Sequence, residues 1–156
     1  MENNNSNVKC NVSPPYTWRL YTDILDFSQY VDIEQVVGIK HPDPISGGVT
    51  LRLSNGDFVS IKEDLRTVLI DLAVVLEGLE FDVLNPPENI KPPIAWRVFT
   101  DASDGYQEYI DIEQVVGVKY PDPVNSAVTL RISNGHFVSV KESLGDVLVA
   151  LVNVMT

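Results

Sequence analysis

Cysteine is almost absent. Cys10 is the only one in 156 residues, which excludes an intramolecular disulfide and any cage of several thiolates around a metal. Basic residues are scarce too. Eleven Lys and Arg face 22 Asp and Glu, for a formal charge of -11, and such a balance argues against direct binding of nucleic-acid phosphates. No apolar run reaches the roughly 18 residues of a membrane span. The start, Met1-Glu2-Asn3-Asn4-Asn5-Ser6-Asn7, has neither the basic nor the apolar region of a signal peptide, so a cytoplasmic location is expected. A Gly-rich phosphate loop, a G-x-S-x-G elbow and an H-E-x-x-H pair are all missing. The two histidines, His41 and His136, stand outside any set spaced for zinc and read as exposed loop or strand-end residues. Cys10 sits in a polar leader with no nearby His to activate it. No catalytic residue, metal or cofactor is expected, and the chain does not read as an enzyme.

What is present is a unit written twice. Tyr30-Val31-Asp32-Ile33-Glu34-Gln35-Val36-Val37-Gly38 returns as Tyr109-Ile110-Asp111-Ile112-Glu113-Gln114-Val115-Val116-Gly117. From Tyr30 to Leu76, 29 of 47 positions are identical at an offset of 79. Upstream, Trp18-Arg19 matches Trp96-Arg97 at an offset of 78, so one residue is inserted between Asp101 and Tyr109. Two copies are too few for a solenoid, which needs about three; they make a pseudo-dimer. The chain divides into a flexible leader (1–16), repeat 1 (17–78), a Pro-rich linker (79–94) and repeat 2 (95–156). Pro86-Pro87 and Pro92-Pro93 stiffen the linker, and Phe81-Asp82-Val83-Leu84 within it is read as a short strand.

Each copy reads as strands closed by one helix, an α+β unit. Leu65, Val68, Leu69, Leu72, Leu76 and Leu79 recur at helical spacing, as do Leu144, Val147, Leu148, Leu151 and Met155, which predicts two amphipathic helices lying on sheets. Asp64 and Ser143 precede them as N-caps, and Gly78 is placed to end the first in a left-handed residue. The tips Ser54-Asn55-Gly56 and Ser133-Asn134-Gly135 predict hairpins. A bulged three-residue loop pairs Leu53 with Asp57 and puts Val49, Leu51, Val59 and Ile61 on one face. A tight two-residue turn would scatter them, so burial selects the bulged register. Trp18 to Thr22 and Val36 to Lys40 supply further antiparallel strands, with Asp32-Ile33-Glu34 turning between them. Units of about 60 residues are marginal alone, so the copies are expected to bury one another about a pseudo-twofold axis.

The run from Asp32 to Ile39, then Val49-Thr50-Leu51 through Ser54-Asn55-Gly56, then Val59-Ser60-Ile61-Lys62-Glu63, resembles the small FlbD/SwrD-type family associated with bacterial flagella. Val140-Lys141-Glu142-Ser143 carries that family's "V-K-E-S" element unchanged. The resemblance implies a small non-enzymatic accessory protein. The duplication, the Pro-Asp-Pro loops and the acidity depart from the family's pattern, so a flagellar role is not carried over.

Six residues stand out as candidates for binding. Arg52 and Phe58 oppose each other in the bulged register, as do Arg131 and Phe137, and Arg and aromatic side chains are enriched in binding hot spots. The competing reading packs each Arg stem on its Phe ring within the sheet. Asp43 and Asp122 lie between prolines on stiff loops, where they also read as solvated turn residues bonding their own backbone. Trp18 and Trp96 read as core or inter-copy packing. Charge is spread evenly, -4 over 17–76, -3 over 77–94 and -4 over 95–156. The leading reading is a non-catalytic acidic interaction protein that docks on a protein partner, with homo-oligomers allowed. A seam site for a small anionic ligand on Arg52 and Arg131, and an acidic mimic of nucleic acid that occupies a basic protein, are the alternatives. Under the leading reading, replacing both arginines by alanine is expected to leave the fold intact but weaken partner or ligand binding.

Overall fold

A computed structural model describes residues 12–122 and 127–155; Cys10 and Pro123 lie outside them. Among the described residues the fold is mixed, with ten strands in three antiparallel sheets and two helices. β1 (Trp18–Thr22) and β2 (Ser28–Asp32) form a hairpin. A 3-10 turn (Ile33–Gln35) leads into β3 (Val36–His41), β4 (Val49–Leu53), β5 (Phe58–Ile61) and α1 (Leu65–Glu77). The same order returns as β6 (Trp96–Thr100), β7 (Gln107–Asp111), a 3-10 turn (Ile112–Gln114), β8 (Val115–Lys119), β9 (Val128–Ile132), β10 (Phe137–Val140) and α2 (Leu144–Met155).

Local chemistry sets these elements. Leu53 N–H donates to the Asp57 carbonyl at 2.8 Å and Gly56 takes φ +94°, a conformation that glycine adopts without cost. The bulged register follows, with Arg52 opposite Phe58 and Leu51 opposite Val59. The second hairpin repeats it, with Arg131 opposite Phe137. Asp64 accepts from Thr67 N–H at 2.9 Å and Ser143 from Asp146 N–H at 3.1 Å, so both helices start on the side-chain caps expected. Gly78 ends α1 in the left-handed region. Asp32 and Asp111 cap the 3-10 turns, each accepting at 3.1 Å from the residue two on. The segment Phe81-Asp82-Val83-Leu84 is not a strand: Asp82 accepts from Leu84 N–H at 2.9 Å and folds the backbone back.

The three sheets run in the orders β1-β2, β5-β4-β3-β7-β6 and β10-β9-β8. Single bridges, Asp23 with Ile61 and Asp101 with Val140, tie β1 to β5 and β6 to β10. The long sheet is the joint between the halves. There β3 pairs with β7, Gly38 opposite Ile110 and Ile39 opposite Tyr109. This corrects the twofold expectation. By the sequence repeat β7 corresponds to β2, so a twofold axis would require β8 to pair with β2 in the same molecule. Among the described residues β2 pairs with β1 and β8 with β9 alone. The apolar residues cross the joint in both directions. Trp96 and Tyr109 lie in one cluster with Val31, Leu69 and Leu72, whereas Val37 lies in the other with Ile110, Ile132 and Val138.

Candidate functional site

Alternation along β7 puts Glu108 beneath the long sheet with no solvent exposure. Arg52 reaches it from β4 as a bidentate partner, Nε to Oε1 at 3.3 Å and Nη2 to Oε2 at 3.0 Å. Gly38 makes this possible, since a Cβ there would stand 3.2 Å from Arg52 Cδ and 3.3 Å from the Tyr109 carbonyl. Asp101 extends the cluster, accepting from Ser103 N–H at 2.8 Å and from its hydroxyl at 2.5 Å. Lys40 lies 3.7 Å from Asp101 and 2.5 Å from Asp104. Two cations and three carboxylates from both halves thus neutralise one another across the joint.

Burial pushes the Glu108 carboxyl up to about 7; the Arg52 charge opposes the rise, and the hydrogen bond to Asp101 adds to it. Burial also raises Asp101, but donors on Ser103 and Glu108, with Lys40, outweigh it and hold that group at about 2. Glu108 in its protonated form donates to Asp101. Between its ordinary value of 4.5 and about 7, Glu108 keeps its proton in the folded protein and loses it in the unfolded chain, so stability falls as pH rises through that window. The loss is on the order of 3 kcal/mol. Urea unfolding from pH 3 to pH 8 should therefore peak near pH 4–5 and decline towards neutrality, and Glu108→Gln should flatten the decline. A wild-type midpoint that climbs from pH 5 to pH 7 contradicts this assignment.

The candidates named from sequence part company here. Arg52 is at the joint, whereas Arg131, its equivalent on β9, is exposed and makes no ion pair among the described residues. Neither Arg stem is needed to cover its Phe, since Phe58 and Phe137 are 63% and 65% exposed. The Phe58 ring meets His136 edge-on, with centroids 6.3 Å apart. Phe137 and Arg52 share a hollow of about 330 Å³ at the seam with Asp122 and Asp101. Asp43 is not solvated: it is 3% exposed and accepts from the Thr50 and Ser60 hydroxyls as well as from Ile45 and Ser46 N–H. Asp122 accepts from Thr129 at 2.6 Å and Ser139 at 3.0 Å. The two tryptophans also differ, Trp96 being buried in the joint and Trp18 partly exposed.

Glu108, Asp101 and Lys40 escaped the sequence reading. Departure from the repeat marks Glu108 and Asp104, since Gln29 stands where Glu108 does and Leu25 precedes the turn where Asp104 does, whereas Lys40 and Asp101 recur as Lys119 and Asp23 and carry no such signal. Among the described residues no group of three His, Cys, Asp or Glu is placed to hold a metal ion, and no helix is long and apolar enough to cross a membrane. Comparison with known proteins returns no matching family model, no matching curated protein and no matching solved structure.

Proposed function

We propose that this chain is a non-catalytic acidic interaction protein of the bacterial or phage accessory type, built by duplication of one α+β unit, which docks on a protein partner across its seam. The observation that carries the reading is a patch of Phe58, His136 and Phe137. Both phenylalanines are largely exposed, and the three residues come from the tips of the β4–β5 and β9–β10 hairpins. Aromatic groups beside an arginine are favoured anchors of protein interfaces, and a charge of -11 steers association towards a basic surface. Arg52 is already neutralised by Glu108, so an anionic ligand at the seam would find only Arg131 unpaired among the arginines named. The resemblance to a small flagellar accessory family points in the same direction.

The test is affinity capture from a bacterial lysate with the wild-type chain and with Phe58→Ser combined with Phe137→Ser. A basic protein retained by the wild type, released by salt and lost from the double variant at unchanged melting temperature is the expected result. Equal capture by both chains would overturn the reading.

A further inference from the structure

The joint inside the molecule has a reciprocal that the molecule leaves open. β8 repeats the sequence of β3, and β2 occupies the place of β7. β3 and β7 are paired to each other, while the outer edges of β2 and β8 have no strand beside them among the described residues. Equivalent side chains differ accordingly. Val37 is 4% exposed and Val116 69%; Tyr109 is 7% exposed and Tyr30 54%; Trp96 is 2% exposed and Trp18 37%. The helices show the same contrast, Leu69 at 4% against Leu148 at 45%.

The open surfaces also fit each other. Within the chain, Val37 stands at an irregularity of the β3–β4 pairing and packs with Ile110, Ile132 and Val138. Their counterparts Val31, Leu53 and Val59 line a hollow of about 350 Å³ beside β2, together with Trp18 and Tyr30. Val116 stands at the matching irregularity of β8–β9. On the other side, Trp96 and Tyr109 pack in the cluster that contains Leu69 and Leu72, which leaves Leu148 of α2 as the seat for Trp18 and Tyr30. Exposed edges with apolar side chains are templates for strand addition. The only charge in the four-residue stretches that would pair is Lys119.

We propose that this chain binds further copies of itself head to tail, β8 of one molecule pairing with β2 of the next in the register that joins β3 to β7. Gly117 then faces Val31, Val118 faces Tyr30, and Val116 enters the hollow beside β2. Arg131 meets Gln29 where Arg52 meets Glu108, so the intermolecular joint lacks the central ion pair and is the weaker and reversible one. Because unlike surfaces meet, the contact propagates, closing into a ring or running on as a fibre.

This inference rests on the strand edges and not on the aromatic patch, and it is tested on the purified chain alone. Analytical ultracentrifugation across the micromolar range should show concentration-dependent growth beyond the monomer. Val116→Lys blocks one edge and Tyr30→Lys the other; both positions are exposed, so each variant should melt as the wild type does at low concentration. Each alone should be monomeric, with the dissociation constant raised by more than about tenfold. Mixed, they should form a one-to-one dimer, since one keeps β2 open and the other β8. Leu148→Glu should behave as Val116→Lys does without touching a strand. A wild type that stays monomeric throughout, single variants that still self-associate, or a mixture that never pairs would each overturn the proposal.

Discussion

Replacing Arg52 by alanine should cost the folded protein about 2–4 kcal/mol at pH 7.5, while Arg131→Ala should change its stability by less than about 0.5 kcal/mol. The two arginines are equivalent by sequence and stand opposite equivalent phenylalanines, yet only Arg52 has a buried carboxylate to neutralise. Its removal leaves Glu108 with no exposure to water, beside Asp101 and without its cation. An uncompensated buried charge is far more costly than the net worth of the pair it came from. Glu108 limits the damage by taking a proton, so the cost of Arg52→Ala should shrink as pH is lowered towards 5. Arg52→Ala combined with Glu108→Gln should recover part of the loss, a coupling that a double-mutant cycle reads directly. Urea unfolding of the wild type, Arg52→Ala, Glu108→Gln, their double variant and Arg131→Ala at low micromolar concentration is the measurement. Equal losses from Arg52→Ala and Arg131→Ala would mean that the joint does not depend on this pair.

This asymmetry replaces the expectation that both arginines can be removed without harm to the fold, and it shows where sequence reading ends. Local chemistry was legible. The turn tips specify their register because Val49, Leu51, Val59 and Ile61 must share a face, and Asp64, Ser143 and Gly78 mark helix ends through caps that involve only neighbours. The joint is non-local, since nothing within repeat 1 says whether β3 will add β7, β2 or β8. A pattern of identical strands even suggests the wrong answer, because symmetry by sequence invites a twofold axis in space. The trace of the true arrangement lies in the positions that break the repeat. Glu108 against Gln29 is one, and the hydroxyl of buried Tyr21 is another. Tyr21 donates to Asp71 at 2.7 Å, and the second copy replaces the pair by Phe99 and Ala150. A buried hydroxyl and its acceptor are lost together because either one alone would be left unsatisfied.

Asp43→Ala should be as damaging as Arg52→Ala, about 2–4 kcal/mol, for a different physical reason. Four donors converge on the Asp43 carboxylate, the hydroxyls of Thr50 and Ser60 and the N–H groups of Ile45 and Ser46. Its own backbone N–H donates to the Gly48 carbonyl at 2.9 Å and its carbonyl accepts from Gly47 at 3.0 Å, so the side chain also holds the Pro42-Asp43-Pro44 loop against β4 and β5. Truncation leaves the buried Thr50 hydroxyl and three part-buried donors without an acceptor, each costing about 1–3 kcal/mol unless water can reach it. Asp43→Asn keeps one oxygen but turns an amide towards donors, and should cost roughly half as much. The acid limb of the stability curve gives an independent reading. Burial raises the Asp43 carboxyl, but the donors on Thr50, Ser46, Ser60 and Ile45 outweigh it and hold the group at about 2. The stability this confers is present above the ordinary value of 3.8 and is lost as pH falls towards 2. In Asp43→Asn that loss between pH 4 and pH 2 should be reduced, because the asparagine has no proton to take up. Were Asp43 instead a solvated docking residue, Asp43→Ala would unfold at the wild-type urea concentration and fail only in capturing a partner.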